Sequence, residues 1–306
     1  MGSKYWPVIA SGIIYGSVIF GGQVFVNLGL SLYEISLFPM LLSSLLLSFI
    51  LLKKKYRITR SMVAFFVAFG LIGAVAQLSQ FGALVQDVPV AVVVFLLYTQ
   101  PFWTILLSKI FLHEDIIRSR VVVLFLVLVG VIVIINPFQE IAVKSFSGMM
   151  LAIGSGISFS AWIVYGRKGG MKEYPSLVTT FGFSTFATFF LILFYPIIYL
   201  FVHTPSVTRL SYTLPMLTWI YLLIFTCSSY IIATTLFFHG VQKVSASDAG
   251  MILLVEPISG ALFASIFLNQ QLTLNILLGG ALILISNYAT VRENKERSAI
   301  RKAFIT

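Results

Sequence analysis

The sequence predicts an all-α integral membrane protein: ten transmembrane helices forming two inverted five-helix repeats, with both ends cytoplasmic. Three observations carry that prediction. The chain is 59% hydrophobic and only 10% charged, with a mean hydropathy of +1.01, whereas soluble domains carry about 25% charged residues. Apolar runs long enough to cross about 30 Å of hydrocarbon recur along its whole length. Finally, the cations are distributed by side, and the pattern of the first half returns in the second.

The runs lie at about 5–28, 33–52, 61–84, 90–112, 120–137, 147–166, 176–202, 215–239, 248–268 and 272–291. The first is too long and too rich in glycine for a removable signal peptide, and no small-residue cleavage pattern follows it. The second ends in Lys53, Lys54 and Lys55, and the third opens after Arg60. The fourth contains Pro101 and closes near Lys109, and Arg118 and Arg120 lead into the fifth. Ser, Gly, Thr and Pro interrupt the sixth and seventh. The ninth carries Glu256 and Pro257, and the tenth gives way to a basic tail, 292–306.

Threading ten spans from a cytoplasmic start leaves only Lys144 and Arg209, of twenty Lys and Arg, on the far side. Lys and Arg accumulate in cytoplasmic loops. The net charge of +10 therefore reports topology, and no nucleic-acid partner is expected; the partners are the bilayer and a small-molecule substrate. The lone Cys227 lies in a span and implies no disulfide.

Aligning "LLYTQPFWTILLSKIFLHED" (96–115) with "LLVEPISGALFASIFLNQQ" (253–271) puts Pro101 on Pro257. Both then stand the same distance from a closing "IFL". Upstream, Phe81 falls on Phe237 and Val85 on Val241. "ASGIIYG" (10–16) matches "GSGISFS" (154–160), so the small pair Gly12 and Gly16 overlies Gly156 and Ser160. The repeats run 5–137 and 147–291. Five is odd, so a homologous second half enters the membrane upside down, an arrangement that puts a site at the midplane between halves that rock.

Of ten acids, Glu256 alone lies deep in a span. A carboxylate there costs about 2.5–3.5 kcal/mol on insertion scales, so it is expected to face a watery interior, as counter-ion to a substrate amine or as a proton carrier. Its helix face is otherwise Ala249, Leu253 and Gly260. Pro101 and Pro257 each free a carbonyl one turn earlier, and are expected to bend gating helices around the shared space. Further polar groups recur at helical spacing: Gly70, Gly73, Gln77 and Gln80; Ser155, Ser158, Trp162 and Tyr165; Tyr15, Gln23 and Asn27; Tyr98 and Gln100; Tyr230 and Thr234. Of these, Trp162, Tyr98, Tyr15, Gln77 and Gln100 are the expected pocket wall around Glu256.

No Lys or Arg occupies the middle of a span, which disfavours phosphate esters as cargo. His113, His203 and His239 fall at span ends on different faces, so no metal site is expected and no cofactor is called for. "GIS" (156–158) lacks a histidine base at its depth, and no phosphate-cradling loop occurs. An enzyme is not expected.

The ten spans, the paired halves, "LLYTQPFW…IFLHED" and "SASDAGMILLVEPISGALFASIFL" together resemble the drug/metabolite transporter superfamily, EamA type, over about 5–291. Val255, Glu256 and Pro257 stand where that family carries Leu-Glu-Pro. Leu112, His113 and Glu114 stand for its Leu-Gly-Glu, while the second copy reads Leu268, Asn269 and Gln270. Tyr15-Gly16 replaces Trp-Gly, and "LFPMLLSSLLL" (37–47) lacks the family's arginine. The resemblance implies a central cavity lined by spans one, three, four, six, eight and nine. It also implies transport, often export, of amino acids or similar metabolites across the plasma membrane. A proton-coupled multidrug or cation exporter, or a non-transporting receptor or assembly factor, are the other readings.

Overall fold

A computed structural model describes residues 4–54, 56, 58–86, 90–115, 118–135, 146–211, 213–268, 273–275, 277–286 and 288. Lys144, Asn269, Gln270, the tail 292–306 and the side chain of Gln23 lie outside the described residues.

The chain is helical throughout what is described: α1 (Trp6–Asn27), α2 (Leu32–Lys54), α3 (Arg60–Val85), α4 (Val90–Leu97), α5 (Gln100–Leu112), α6 (Arg118–Ile135), α7 (Phe146–Met171) and α8 (Ser176–Phe201). The short α9 (Pro205–Thr208) follows, then α10 (Met216–Phe225), α11 (Thr234–Gly240), α12 (Ala246–Ile252) and α13 (Glu256–Leu268). Six segments among them are long and apolar enough to cross a membrane: Leu32–Lys54, Arg60–Gln80, Phe146–Met171, Ser176–Phe201, Met216–Gly240 and Ala246–Phe267. Trp6–Val18, Leu124–Val133 and Leu277–Ser286 are shorter apolar helical stretches. Phe49, Leu52, Leu200 and Phe201 point outward, as they should where the solvent is acyl chain.

Local chemistry sets the helix ends. Ser31 and Glu34 form a capping box at the start of α2: the Ser31 hydroxyl accepts from Glu34 N at 3.0 Å, and the Glu34 carboxylate accepts from Ser31 N at 2.7 Å. Lys53 and Lys54 close the same helix at its negative end. At α12 the Ser245 hydroxyl caps Asp248 N at 3.2 Å.

One span expected to be continuous is broken, and two others change helix type along their length. The run 90–112 breaks at Tyr98 and Thr99, so Pro101 begins α5 instead of bending one helix. In a first turn its missing N–H costs nothing. In 248–268 a single 3₁₀ turn, Leu253–Val255, precedes Glu256 and Pro257. The run 215–239 widens into a π-helical segment, Thr226–Ala233, between α10 and α11. Such turns leave backbone groups without their usual partners and gather at functional sites.

The helix pairings keep their pattern when the halves are exchanged. α1 lies along α13, and α7, its counterpart by alignment, lies along α5. α1 meets α11 and the π segment, while α7 meets α3. α3 packs on α8, as α10 and the π segment pack on α2. α2 against α8 is its own counterpart. Small residues make the two long crossings close. A Cβ on Gly12 would meet Val255, one on Gly16 would meet Ser259 and Gly260, and one on Gly156 would lie 2.8 Å from the Leu96 carbonyl. Ser160 donates to the Gln100 carbonyl at 2.6 Å. Gly70 and Gly73, read as part of a pocket stripe, press instead against Phe186 and Phe183 of α8.

Candidate substrate site

Glu256 opens α13, where the positive end of the helix favours an anion. It is half-buried, and its carboxylate makes no hydrogen bond or ion pair with the described residues. A burial of that kind is costly unless another group completes it.

Three phenols from three elements lie within electrostatic reach of the carboxyl: Tyr15 of α1, Tyr98 between α4 and α5, and Tyr230 of the π segment. Each is held from behind. The Tyr15 hydroxyl donates to Thr234 Oγ1 at 2.9 Å, and Tyr230 lies near the Gln77 side chain of α3. Tyr98 is 2% exposed and packs with Val131, Met251, Leu254 and Ile283. The π turn presents Tyr230 and Thr234 together, and Ser229 of the same turn bonds Ser17 across to α1 at 2.7 Å.

Trp162 of α7 completes one side. It is 5% exposed, meets Tyr15 edge-on at 6.4 Å, and stacks on Phe237 at 4.6 Å and Phe159 at 5.6 Å. Its buried Nε1 has no hydrogen-bond partner among the described residues. Gln100 is different. Its Nε2 donates to the Gly250 carbonyl at 2.6 Å, tying α5 to α12, and its Oε1 accepts from Thr104 of the same helix at 2.9 Å. Its side chain is fully buried.

A carboxylate with aromatic rings nearby can attract an ammonium, because the Coulomb term and the ring quadrupoles both favour a cation. Among the described residues no three His, Cys, Asp or Glu gather to hold a metal ion.

The two ends of the bundle differ. Toward the end carrying Lys54, Arg60 and Lys172, a dense aromatic layer fills the interior: Phe65 stacks on Tyr165 at 4.6 Å, and Phe69 touches Phe183 and Phe238 at 5.0 and 5.4 Å. Toward the opposite end a cleft of about 530 Å³ opens between the start of α2 and the ends of α3 and α8, with Leu78, Gly82 and Phe194 in its walls. Sequence reasoning passed over Phe183, Phe237 and Phe238. Their spacing in apolar helices carries no sign of which side they face.

Comparison with known proteins identifies relatives. The family profile described as "EamA-like transporter family" matches residues 3–136 and 146–292. Two proteins of Archaeoglobus fulgidus named "Uncharacterized transporter" are similar. One is 25% identical over 211 residues, covering 69% of this chain and 70% of its own; the other is 26% identical over 194 residues, covering 63% and 64%. A Clostridium kluyveri protein of the same name is 20% identical over 253 residues, covering 81% and 78%. A solved structure titled "Crystal structure of protein" superposes with a TM-score of 0.76 at 15% identity, over 94% of this chain and 96% of its own.

Proposed function

The chain belongs to the EamA-like transporter family, a multi-pass membrane transporter, and from that premise we propose that it is a plasma-membrane secondary carrier exporting small amphipathic metabolites that bear an amine, amino acids or similar. One observation carries the reading: the unpaired Glu256 carboxylate lies inside the bundle among Tyr15, Tyr98 and Tyr230. An amine supplies the missing charge, and Trp162 and the phenol rings cover its apolar part.

The exchange symmetry of the helix pairings supports two five-helix repeats, 5–137 and 147–291, of opposite orientation in the membrane. Alternating access follows by rocking one against the other. With the Lys- and Arg-rich end cytoplasmic, the aromatic layer closes that side, and the cleft beside α3 and α8 faces outward. Pro101 and Pro257, each at the first turn of a helix entering the site, are the pivots.

A second reading, a proton-coupled exporter of organic cations, draws on the same carboxylate. No fixed cation stands mid-span to receive a substrate carboxylate, whereas a lone acid can carry either a proton or a cation in turn. Purified protein in liposomes, loaded with a labelled panel of amino acids, polyamines and quaternary ammonium compounds, tests both. Movement of at least one class is expected, and Glu256→Gln is expected to abolish it. Accumulation driven by an imposed pH gradient selects the second reading. Movement of no solute on the panel sinks both.

A further inference from the structure

Glu114 follows α5, where His113 takes the left-handed conformation, φ 54°, and turns the chain back across the end of the bundle. Glu114 Oε1 then accepts from Ala246 N at 3.0 Å, and Oε2 from Ser247 N and Oγ at 3.4 and 3.2 Å. Those are first-turn donors of α12, which have no partner within their own helix, and the positive end of that helix favours the anion. Arg167, near the end of α7, places Nε 3.7 Å from Glu114 Oε1. One of its terminal nitrogens donates to the Val241 and Gln242 carbonyls at 2.7 and 2.8 Å, where α11 ends. From there Gln242 donates to the Tyr174 carbonyl at 3.0 Å, which ties in the turn before α8.

The knot therefore gathers the ends of five helices. Glu114 comes from the first half of the chain; Arg167, Val241, Gln242, Ala246 and Ser247 come from the second. It stands over the aromatic layer and joins α5 to the helical run that carries Glu256. Both partners are mostly shielded, with side-chain exposures of 20% for Arg167 and 15% for Glu114, so water screens the knot less than a surface pair. If the halves rock, the layer cannot part while these contacts hold.

The opposite end has its own knot, in which Glu34 accepts from Ser31 N and Ser211 N, and Arg209 donates to the Gly29 carbonyl. That one joins the α1–α2 turn to the segment between α9 and α10. It touches neither α5 nor α13.

We propose that Glu114 and Arg167 form the lock of the gate on the Lys- and Arg-rich face, so that its release is what opens the carrier to that side. The inference rests on the carrier reading above and adds which contacts set the open face. Breaking the lock should expose one end and close the other, because the same rocking does both.

Accessibility to a polar maleimide measures this without a substrate. In a Cys227→Ser background, one reporter cysteine replaces Tyr165 beneath the lock, and another replaces Leu78 in the opposite cleft. With Glu114→Gln, labelling at 165 should rise about tenfold, the change expected when about 1.4 kcal/mol of closure is lost, and labelling at 78 should fall. Arg167→Gln should act in the same direction but less, since Glu114 keeps its bonds to α12. The double variant should add little to Glu114→Gln alone.

Unchanged labelling at 165 overturns the lock. So does a rise at both positions, which would mean a loosened fold. Spin labels at Lys109 and Lys172, both exposed on the gated face, give a second measurement: their separation should lengthen in Glu114→Gln, and an unchanged separation overturns the proposal. Failure of the lock leaves solute movement by the parent protein intact; failure of the carrier reading appears as no movement by the parent itself.

Discussion

The Tyr15 hydroxyl donates to Thr234 Oγ1 over 2.9 Å, joining α1 to the first turn of α11. The bond fixes a phenol that meets Trp162 edge-on and lies within electrostatic reach of Glu256. Tyr15→Phe removes the bond and keeps the ring. Interhelical hydrogen bonds in membranes average about 0.6 kcal/mol and reach about 1.7. A loss in that range, read from unfolding in mixed micelles, is expected together with weaker substrate binding. Loss of stability with unchanged binding would place the residue outside the pocket.

Gln100 should behave in the opposite way. Gln100→Leu strands the Gly250 carbonyl inside the bundle, at about 1–3 kcal/mol, while the Thr104 hydroxyl keeps the Gln100 backbone carbonyl at 2.9 Å. Stability should fall while the affinity for any identified substrate holds. A variant of normal stability that binds substrate poorly would return Gln100 to the wall where sequence reasoning had put it.

Trp162 separates stacking from polarity. Trp162→Phe discards an Nε1 that has no partner among the described residues and keeps an aromatic plane against Phe237, so the resting protein should be no less stable. Trp162→Ala opens a cavity and should cost about 3–5 kcal/mol. If the Nε1 meets substrate, Trp162→Phe weakens binding without weakening the fold, and ligand-induced thermal shifts read the difference.

The close crossing of α1 and α13 depends on absent side chains. Gly16→Leu drives α1 away from Ser259 and Gly260 of α13 and should cost about 1–3 kcal/mol or more. Gly22→Ala, on the same helix with nothing within 4 Å of the added carbon, serves as control and should be near neutral. Equal effects at the two positions would mean that α1 does not seat on α13.

Glu256→Gln removes a charge that no side chain completes, so the variant should unfold no more easily than the parent. Marked destabilisation would mean that the acid holds the bundle together in ionised form. Unfolding in the same micelles decides the matter.

Sequence alone carried the membrane class, the apolar runs and the isolation of Glu256. Those depend on composition and order along the chain, and a charge among apolar residues is conspicuous wherever it falls. It also supplied Tyr15, Tyr98, Gln77 and Trp162 as candidates, though Gln100 looked equally suitable. Only the tertiary structure showed where each stands: Tyr15 and Tyr98 near the acid, Trp162 against Tyr15, Gln77 beside Tyr230, and Gln100 bonded to Gly250 and Thr104. The break at Tyr98, the 3₁₀ turn before Glu256, and the π turn that brings Tyr230 and Thr234 forward, were likewise legible only in three dimensions. So was the meeting of Glu114 with Arg167, 53 positions later in the chain. The reason is physical. A helix in lipid is apolar on every side, so a 3.6-residue period says little about which face turns inward; azimuth and depth are set by where small residues let helices approach, and that is a property of pairs of helices.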